Sequence, residues 1–379
     1  MSERGALLLT GATGFVGMEL LARALERSEQ PVRVLVRASS DEEAQCRIDG
    51  VLRSLVPEPP PPGRVVALAG DLEAPGVGLS EPATAQLADE VTTVVHCAAS
   101  VSFALPLPES RAVNVDGTRR KLELARVCAS AGDGLDRFAY VSTAYVSGRH
   151  RGVFGPADLD RGQRFRNPYE CSKQEAEALV RRAGEHLPVQ VFRPSIVVGD
   201  RRTGWTNSFN VIYQPLRAFS RGMYSVLPGR LDAPVDVVPV DYVADAIWTL
   251  TRQPFSSPET HLLVSGEQAA TVGELAELAS GYFGRPAPRV VDPVVFRLAI
   301  APRIRRRGGS LARAVLEHSS VYFPYFQVET WFDDSATRDA LRPHGVRAAP
   351  LCAYFNRLAA FAVSARWGKR TLTRAQALG

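Results

Sequence analysis

Ala6-Leu7-Leu8-Leu9-Thr10-Gly11-Ala12-Thr13-Gly14-Phe15-Val16-Gly17-Met18 is the stretch that decides the fold. Its first four residues are apolar and read as a buried strand, the glycine-rich segment as a turn, and residues 18–27, apolar at helical spacing, as a helix. Val32-Arg33-Val34-Leu35-Val36 supplies a second strand, completing a βαβ unit. The glycine spacing is GxxGxxG. Glycines there permit a tight turn, close approach of the backbone to a pyrophosphate, and close packing of the helix. With a strand before it and a helix after it, the motif predicts a dinucleotide site on Gly11, Thr13, Gly14, Phe15 and Val16.

Strand-like runs recur at residues 64–68, 93–96, 137–142 and 189–193, separated by helical stretches such as 115–129 and 172–183. That alternation predicts an α/β fold, a Rossmann-type doubly wound parallel sheet. After Gly199 the pattern changes. Residues 205–230 read as an irregular, partly helical insertion, residues 235–240 as a strand returning to the sheet, 241–251 as a helix and 261–264 as a further strand. Beyond Thr271 the chain reads as helix and loop. The expected division is a dinucleotide-binding domain of residues 1–200 and 232–270, with a smaller, mostly helical substrate-binding domain of residues 201–231 and 271–379. Pro57 to Gly63 reads as an exposed, extended connector. Leu351, Tyr354, Phe355, Leu358 and Ala362 share one helical face, the pattern of core packing.

The 379 residues, 45% hydrophobic and 22% charged, suffice for one large domain and a smaller one. Five cysteines without a CxxC pair argue against a disulfide framework or a thiolate zinc site, and point to a reducing, cytoplasmic setting. The early start of the first strand leaves no room for a secretion signal, which is therefore not expected. The longest apolar candidate, residues 290–304, is interrupted by Arg297 and Arg303, so no transmembrane segment is expected. A net charge of +5 suits acidic ligands such as nucleotides and phosphopantetheine carriers, and no nucleic-acid role is expected. The run Arg303-Ile304-Arg305-Arg306-Arg307 reads as a solvated turn, with peripheral membrane or carrier contact as the competing reading. His96, His150, His186, His261, His318 and His344 fall in no metal-ligand spacing, so no metal is expected.

About 20 residues beyond the last glycine, where an NAD-selective site carries an acid, stands Arg37. A guanidinium there suits a 2′-phosphate and favours NADPH. Ser39 or Ser40 could add hydroxyls, although Ser40 with Glu43 also fits a helix capping box. Asp71, with Leu72 beside it, lies just after the third strand, where a carboxylate could accept from the adenine amine or simply cap a helix. Ser142-Thr143-Ala144-Tyr145 ends a strand, placing the Thr143 hydroxyl at the carboxyl edge of the sheet. Tyr169 and Lys173 stand four apart on a predicted helix, stacking a phenol and an ammonium on one face. A neighbouring cation would lower the phenol's pKa and make Tyr169 a proton donor.

Taken together, the glycine turn, Asp71, Asn114, Ser142-Thr143, Tyr169-x-x-x-Lys173 and Arg193-Pro194-Ser195 resemble the extended short-chain dehydrogenase/reductases over about the first 270 residues. Val95 to Phe103, including Ala98, with Val113 to Thr118, Tyr140 to Val146, Arg193 to Gly199 and Val238 to Val243, look like fatty acyl-CoA reductases and the thioester reductase domains of carboxylic acid reductases and peptide synthetases. The tail, with Tyr322-Phe323-Pro324-Tyr325, resembles them only faintly. The resemblance implies NADPH as cofactor and an acyl thioester, on CoA or on an acyl or peptidyl carrier protein, as substrate. It implies catalytic Thr143, Tyr169 and Lys173, and Asn114 supporting Lys173 through backbone or water contacts. Ala98 and Leu72 would join the cofactor site, and Pro194, Ser195, Ile196 and Val197 would lie against the nicotinamide. A sugar-nucleotide epimerase or a hydroxysteroid dehydrogenase is the alternative, because fold and cofactor do not fix a substrate.

Overall fold

Seven strands form one parallel sheet: β1 Ala6–Thr10, β2 Val32–Val36, β3 Val65–Ala69, β4 Val91–His96, β5 Arg137–Val141, β6 Val189–Pro194 and β7 Glu259–Leu263. This computed structural model describes residues 4–378. The spatial order is β3-β2-β1-β4-β5-β6-β7, with every neighbouring pair parallel. The order reverses between β1 and β4. Ligands of open α/β sheets bind in the crevice outside the carboxyl ends at that point, and the register there sets Thr10 opposite His96.

Both faces of the sheet are covered, which is why its strands read as apolar runs rather than alternating ones. Alternate residues of β1 enter different cores. Leu7 and Leu9 join the cluster under helices α1 Phe15–Arg27, α2 Asp41–Leu55 and, later in the chain, α6 Val240–Leu250. Ala6 and Leu8 join the opposite cluster under α3 Glu81–Glu90, α4 Gly117–Ala129 and α5 Pro168–Ala183. Each fully buried leucine contributes about 1.5–3 kcal/mol of transfer free energy. Ahead of α4, the helical run from Leu107 passes through a π turn at Ala112–Asp116, which carries Asn114.

A third core holds the later segments together. Helix Tyr213–Ser220 contributes Leu216 and Phe219, helix Val272–Phe283 contributes Leu275 and Ala279, and helix Phe355–Ser364 contributes Phe355 and Leu358. The apolar face of residues 351–362 is buried, Leu351 and Tyr354 included. The tail returns to the first lobe: Leu372 and Ala377 pack against the α1 side of the sheet, and Leu341 lies in the same cluster.

Residues 235–240 do not rejoin the main sheet. Pro234–Val235 pairs with Ala270–Thr271, Val237–Pro239 pairs with Ile196–Val198, and the chain re-enters only at β7. The region past Thr271 also contains strands: Arg289–Val291 pairs with Val226–Pro228, and Glu329–Phe332 with Arg151–Phe154. These ribbons are three or four residues long. Runs so short carry too little alternation to stand out in sequence. The arginine run is helical, at Ala301–Arg307, rather than a turn; its guanidinium-bearing residues are exposed.

Candidate active site

The glycine turn is shaped by close approach. Gly11 adopts φ 77°, and a Cβ there would lie 2.7 Å from the Ala98 amide nitrogen; a Cβ on Gly17 would lie 2.1 Å from the Gly11 carbonyl oxygen. Side chains are excluded at both positions, so α1 starts hard against the end of β1. Gly14 caps α1 without a side-chain hydrogen bond, and the first turn carries no acid. Its backbone N–H groups and the positive end of the helix dipole therefore face the crevice with nothing anionic to compete. This cradle fits a dinucleotide pyrophosphate.

A cleft of about 460 Å³ opens from this turn along the carboxyl edge of the sheet, within the size range of small-molecule sites. It brings together Gly11, Thr13, Gly14, Phe15 and Val16 with Thr143, Tyr169 and Lys173, and with Pro194, Ser195, Ile196 and Val197. These come from four segments far apart in the chain. Thr143 follows β5, accepts from the Tyr145 amide at 3.2 Å, and donates to the Pro194 carbonyl at 3.4 Å. Tyr169 enters from the first turn of α5, which Asn167 caps by accepting from the Glu170 amide at 3.0 Å. Its phenol lies beside the Thr143 hydroxyl at the edge of the cleft.

Lys173 lies one helical turn beyond Tyr169, but its ammonium does not reach the Tyr169 phenol. Nζ donates to the Tyr140 hydroxyl at 2.7 Å and to the Val141 carbonyl at 2.9 Å. The expected lowering of the Tyr169 pKa is correspondingly not met: burial pushes the phenol up to about 12, with Thr143 pulling the other way. Tyr169 is thus held protonated, the state a proton donor requires. Burial also lowers Lys173 to about 7, against the pull of Glu177 and Cys97. Glu177 lies buried behind the strand end and binds Arg193 at 2.8 Å and the Ser142 hydroxyl at 2.6 Å, fixing the residue that precedes Thr143.

Asn114 does not touch Lys173 either. Its amide clamps the backbone of Ser100, accepting at 2.8 Å and donating at 3.0 Å, and donates to the Ser172 hydroxyl at 2.9 Å. It therefore ties α5 to the loop after β4, one residue before the lysine. Ala98 sits against Gly11 and donates its amide to Thr10 Oγ1 at 3.3 Å.

Arg37, Asp71 and Leu72 lie beyond β2 and β3 and do not line the central cleft. Arg37 is exposed, and Arg47 donates to its carbonyl, so two arginines share this edge. The two serines do not extend it. Ser39 donates its amide and its hydroxyl to Glu43, and Ser40 caps α2 by accepting from the Glu43 amide. Asp71 accepts from the Glu73 amide at 2.9 Å, a turn contact rather than a helix cap, and the Leu72 carbonyl accepts from Arg120.

Sequence reasoning missed the aromatic wall. Phe103 stacks on Tyr325 at 5.3 Å and lies 5.7 Å from Tyr169, while Tyr145 meets Tyr325 edge-on at 5.2 Å. Tyr325 is fixed by donating to Glu170 and accepting from Asn167, both at 2.8 Å. Asn207, Ser208, Asn210 and Val211 also line the cleft, with Val211 at φ 47°, an uncommon conformation for a β-branched residue. Trp205, 5.8 Å from Phe15, packs this segment against the nucleotide turn. The only sequence signal was polar and aromatic residues in a stretch without periodicity.

Among the described residues, no group of three or more histidine, cysteine, aspartate or glutamate residues could hold a metal ion; the His318 side chain lies outside them. No helix among them is long and apolar enough to cross a membrane. All five cysteines are unpaired. His96 is buried, with both ring nitrogens partnered by Thr10 and Thr118.

The chain is similar to a carboxylic acid reductase of Segniliparus rugosus, 33% identical over 286 residues that are 66% of this chain and 23% of that protein. It is 26% identical to the fatty acyl-CoA reductase wat of Drosophila melanogaster, over 66% of this chain and 56% of the relative. The chain thus spans between about a quarter and just over half the length of these curated relatives. Among solved structures, the terminal R domain from the myxalamid PKS-NRPS biosynthetic pathway superposes with a TM-score of 0.82 at 29% identity, covering 97% of this chain and 93% of that one. Residues 9–247, from the end of β1 to the middle of α6, match the male sterility protein family, and the chain belongs to that family of NAD(P)-binding proteins.

Proposed function

We propose that the protein is an NADPH-dependent reductase of acyl thioesters, releasing an aldehyde and a free thiol. The observation that carries this reading is the convergence of Tyr169 and Thr143 with the glycine cradle and Pro194 to Val197 on one cleft. The similarity to thioester-reducing relatives supports it. Bound NADPH supplies the hydride that adds to the thioester carbonyl carbon. Thr143 and Tyr169 hydrogen-bond the carbonyl oxygen, and Tyr169 gives it the proton as negative charge develops there. When the resulting hemithioacetal collapses, the Tyr169 phenolate takes that proton back, the carbon–sulfur bond breaks, and the thiolate leaves to be protonated by solvent. Lys173 holds the nicotinamide ribose, and Asn114 holds α5 through Ser172. The aromatic wall of Phe103, Tyr145 and Tyr325 supplies the surface along which an acyl group lies. A second round on the aldehyde would yield an alcohol.

Residues 1–200 and 232–270 form the cofactor lobe in this reading, and residues 201–231 and 271–379 the substrate lobe. Arg37 reads the 2′-phosphate, with Arg47 adding positive charge. The thiol substrate is phosphopantetheine-borne, on CoA or on a carrier protein docked in trans, in the reducing setting of the cytoplasm. The test is oxidation of NADPH with a panel of acyl-CoAs, acyl carrier proteins and free aldehydes, following thiol release in parallel. Stoichiometric thiol release is expected. Cofactor oxidation that never releases thiol, or turnover restricted to sugar nucleotides or hydroxysteroids, would overturn the reading.

A further inference from the structure

A buried chain of polar side chains runs behind the cleft from the glycine turn to Lys173. It starts at the Tyr140 hydroxyl, which accepts from Lys173 Nζ at 2.7 Å while the ammonium sits 4.3 Å from the centre of the same ring. A hydroxyl that accepts from an ammonium directs its own proton elsewhere. The Thr118 hydroxyl lies near the Tyr140 phenol. Thr118 donates its proton to the Asn114 carbonyl at 2.6 Å, leaving its oxygen to accept from His96 Nε2 at 3.2 Å. That assignment makes His96 the Nε2–H tautomer, with Nδ1 accepting from the Thr10 hydroxyl at 2.7 Å. Thr10 in turn accepts from the Ala98 amide at 3.3 Å. The protons of Thr118, His96 and Thr10 are thus accounted for.

Tyr140, Thr118, His96 and Thr10 are each at most 2% exposed. Burial, with the charges of Lys121 and Lys173, holds His96 well below its ordinary pKa and keeps it neutral. Burial, with the Glu177 carboxylate, raises Tyr140 well above the ordinary phenol range. Neither group has a second protonation state to offer, so the chain is a fixed scaffold rather than a conduit. The groups facing Lys173 are Tyr169 and Glu177 on its own helix, Cys97 and His96 at the end of β4, and Tyr140 and the Val141 carbonyl on β5. Glu177 is committed to Arg193, Arg181 and Ser142.

We propose that Tyr140 is a positioning residue, whose phenol oxygen holds the Lys173 ammonium at the floor of the cleft. The role in turnover rests on the reading of Lys173 as part of a hydride-transfer site. The placement of the ammonium does not. An ammonium out of water needs acceptors to stay charged, and Tyr140 is one of the two that Lys173 has here.

The chain contains three lysines, Lys121, Lys173 and Lys369, so ¹³Cε-lysine labelling gives three NMR signals, assignable with Lys121→Arg and Lys369→Arg. Tyr140→Phe keeps the ring and removes only the acceptor. The Lys173 titration midpoint is expected to fall by about one pH unit in that variant. Thr118→Val, which removes the hydroxyl beside the phenol, should move it the same way by less. In turnover assays the alkaline limb of kcat should shift down with the midpoint, an effect that loss of mere packing would not produce. An unmoved midpoint in Tyr140→Phe overturns the proposal, and if that variant does not fold, an unmoved midpoint in Thr118→Val does so. Failure of the unaltered protein to release thiol from any thioester would sink the functional reading while leaving the titration result intact.

Discussion

Tyr169 and Lys173 are adjacent in a helix and separate in their surroundings: the phenol lies beside Thr143 and Phe103, and the ammonium goes to Tyr140. Four-residue spacing puts two side chains on one face, but the strands that face packs against choose their partners. Tyr169→Phe should therefore lower kcat by about 10²–10⁴-fold, the usual contribution of a positioned general acid, with cofactor dissociation changed less than about twofold. Surviving turnover would assign the proton to another group. Arg37→Ala should weaken NADPH by about tenfold or more relative to NADH, as expected for loss of a charge-assisted phosphate contact. Equal losses in direct binding measurements would show that Arg47, or neither arginine, reads the phosphate.

Helix α4 carries an element-scale anomaly. Lys121 is 1% exposed, and its Nζ has no hydrogen-bond partner among the described residues. Burial lowers its pKa to about 7, against about 10.4 for an unfolded chain. Between those values the unfolded state binds more protons than the folded one, so stability should rise as pH goes from about 7 toward 10. Below pH 7 the full penalty is present. Lys121→Met, apolar and similar in length, should stabilise the protein by about 1–3 kcal/mol at pH 7 and flatten that rise, read from urea midpoints at pH 7 and 9.5. A less stable variant at pH 7 would mean that the amine is satisfied. The remaining pH dependence would report Lys173, offset toward pH 9.5 by the buried thiols of Cys97, Cys128 and Cys171, whose raised pKa values act with the opposite sign. The same helical layer shows what element prediction catches and misses: the long apolar period of α4 was legible, while the π turn that aims Asn114 at Ser100 and Ser172 leaves no trace in sequence periodicity.

On the scale of the whole molecule, the chain's end closes on its beginning. Arg374 pairs with Glu19 at 2.7 Å and Glu26 at 2.8 Å on α1, and the Leu372 carbonyl accepts from the Trp205 indole at 3.0 Å. Glu19 is 1% exposed, so removing a cation beside it leaves a buried carboxylate with Arg23 alone. Arg374→Ala should cost about 1–3 kcal/mol in urea unfolding. An unchanged midpoint would show that the tail does not unfold together with the sheet.

The parallel sheet and the position of the nucleotide turn were determined by sequence alone, because strand and helix periods and glycine spacing act between residues a few positions apart. The glycine turn, Thr143, Tyr169, Lys173 and Pro194 to Val197 were legible for the same reason, each lying in a short motif at a strand or helix end. Tertiary structure alone decided the rest. It seated Lys173 on Tyr140, 33 residues away, placed Tyr325 against Glu170, 155 residues away, and kept residues 235–240 out of the main sheet. Such contacts depend on how separately formed layers pack, and burial, which only packing creates, is what raises the Tyr169 phenol and lowers the Lys173 ammonium.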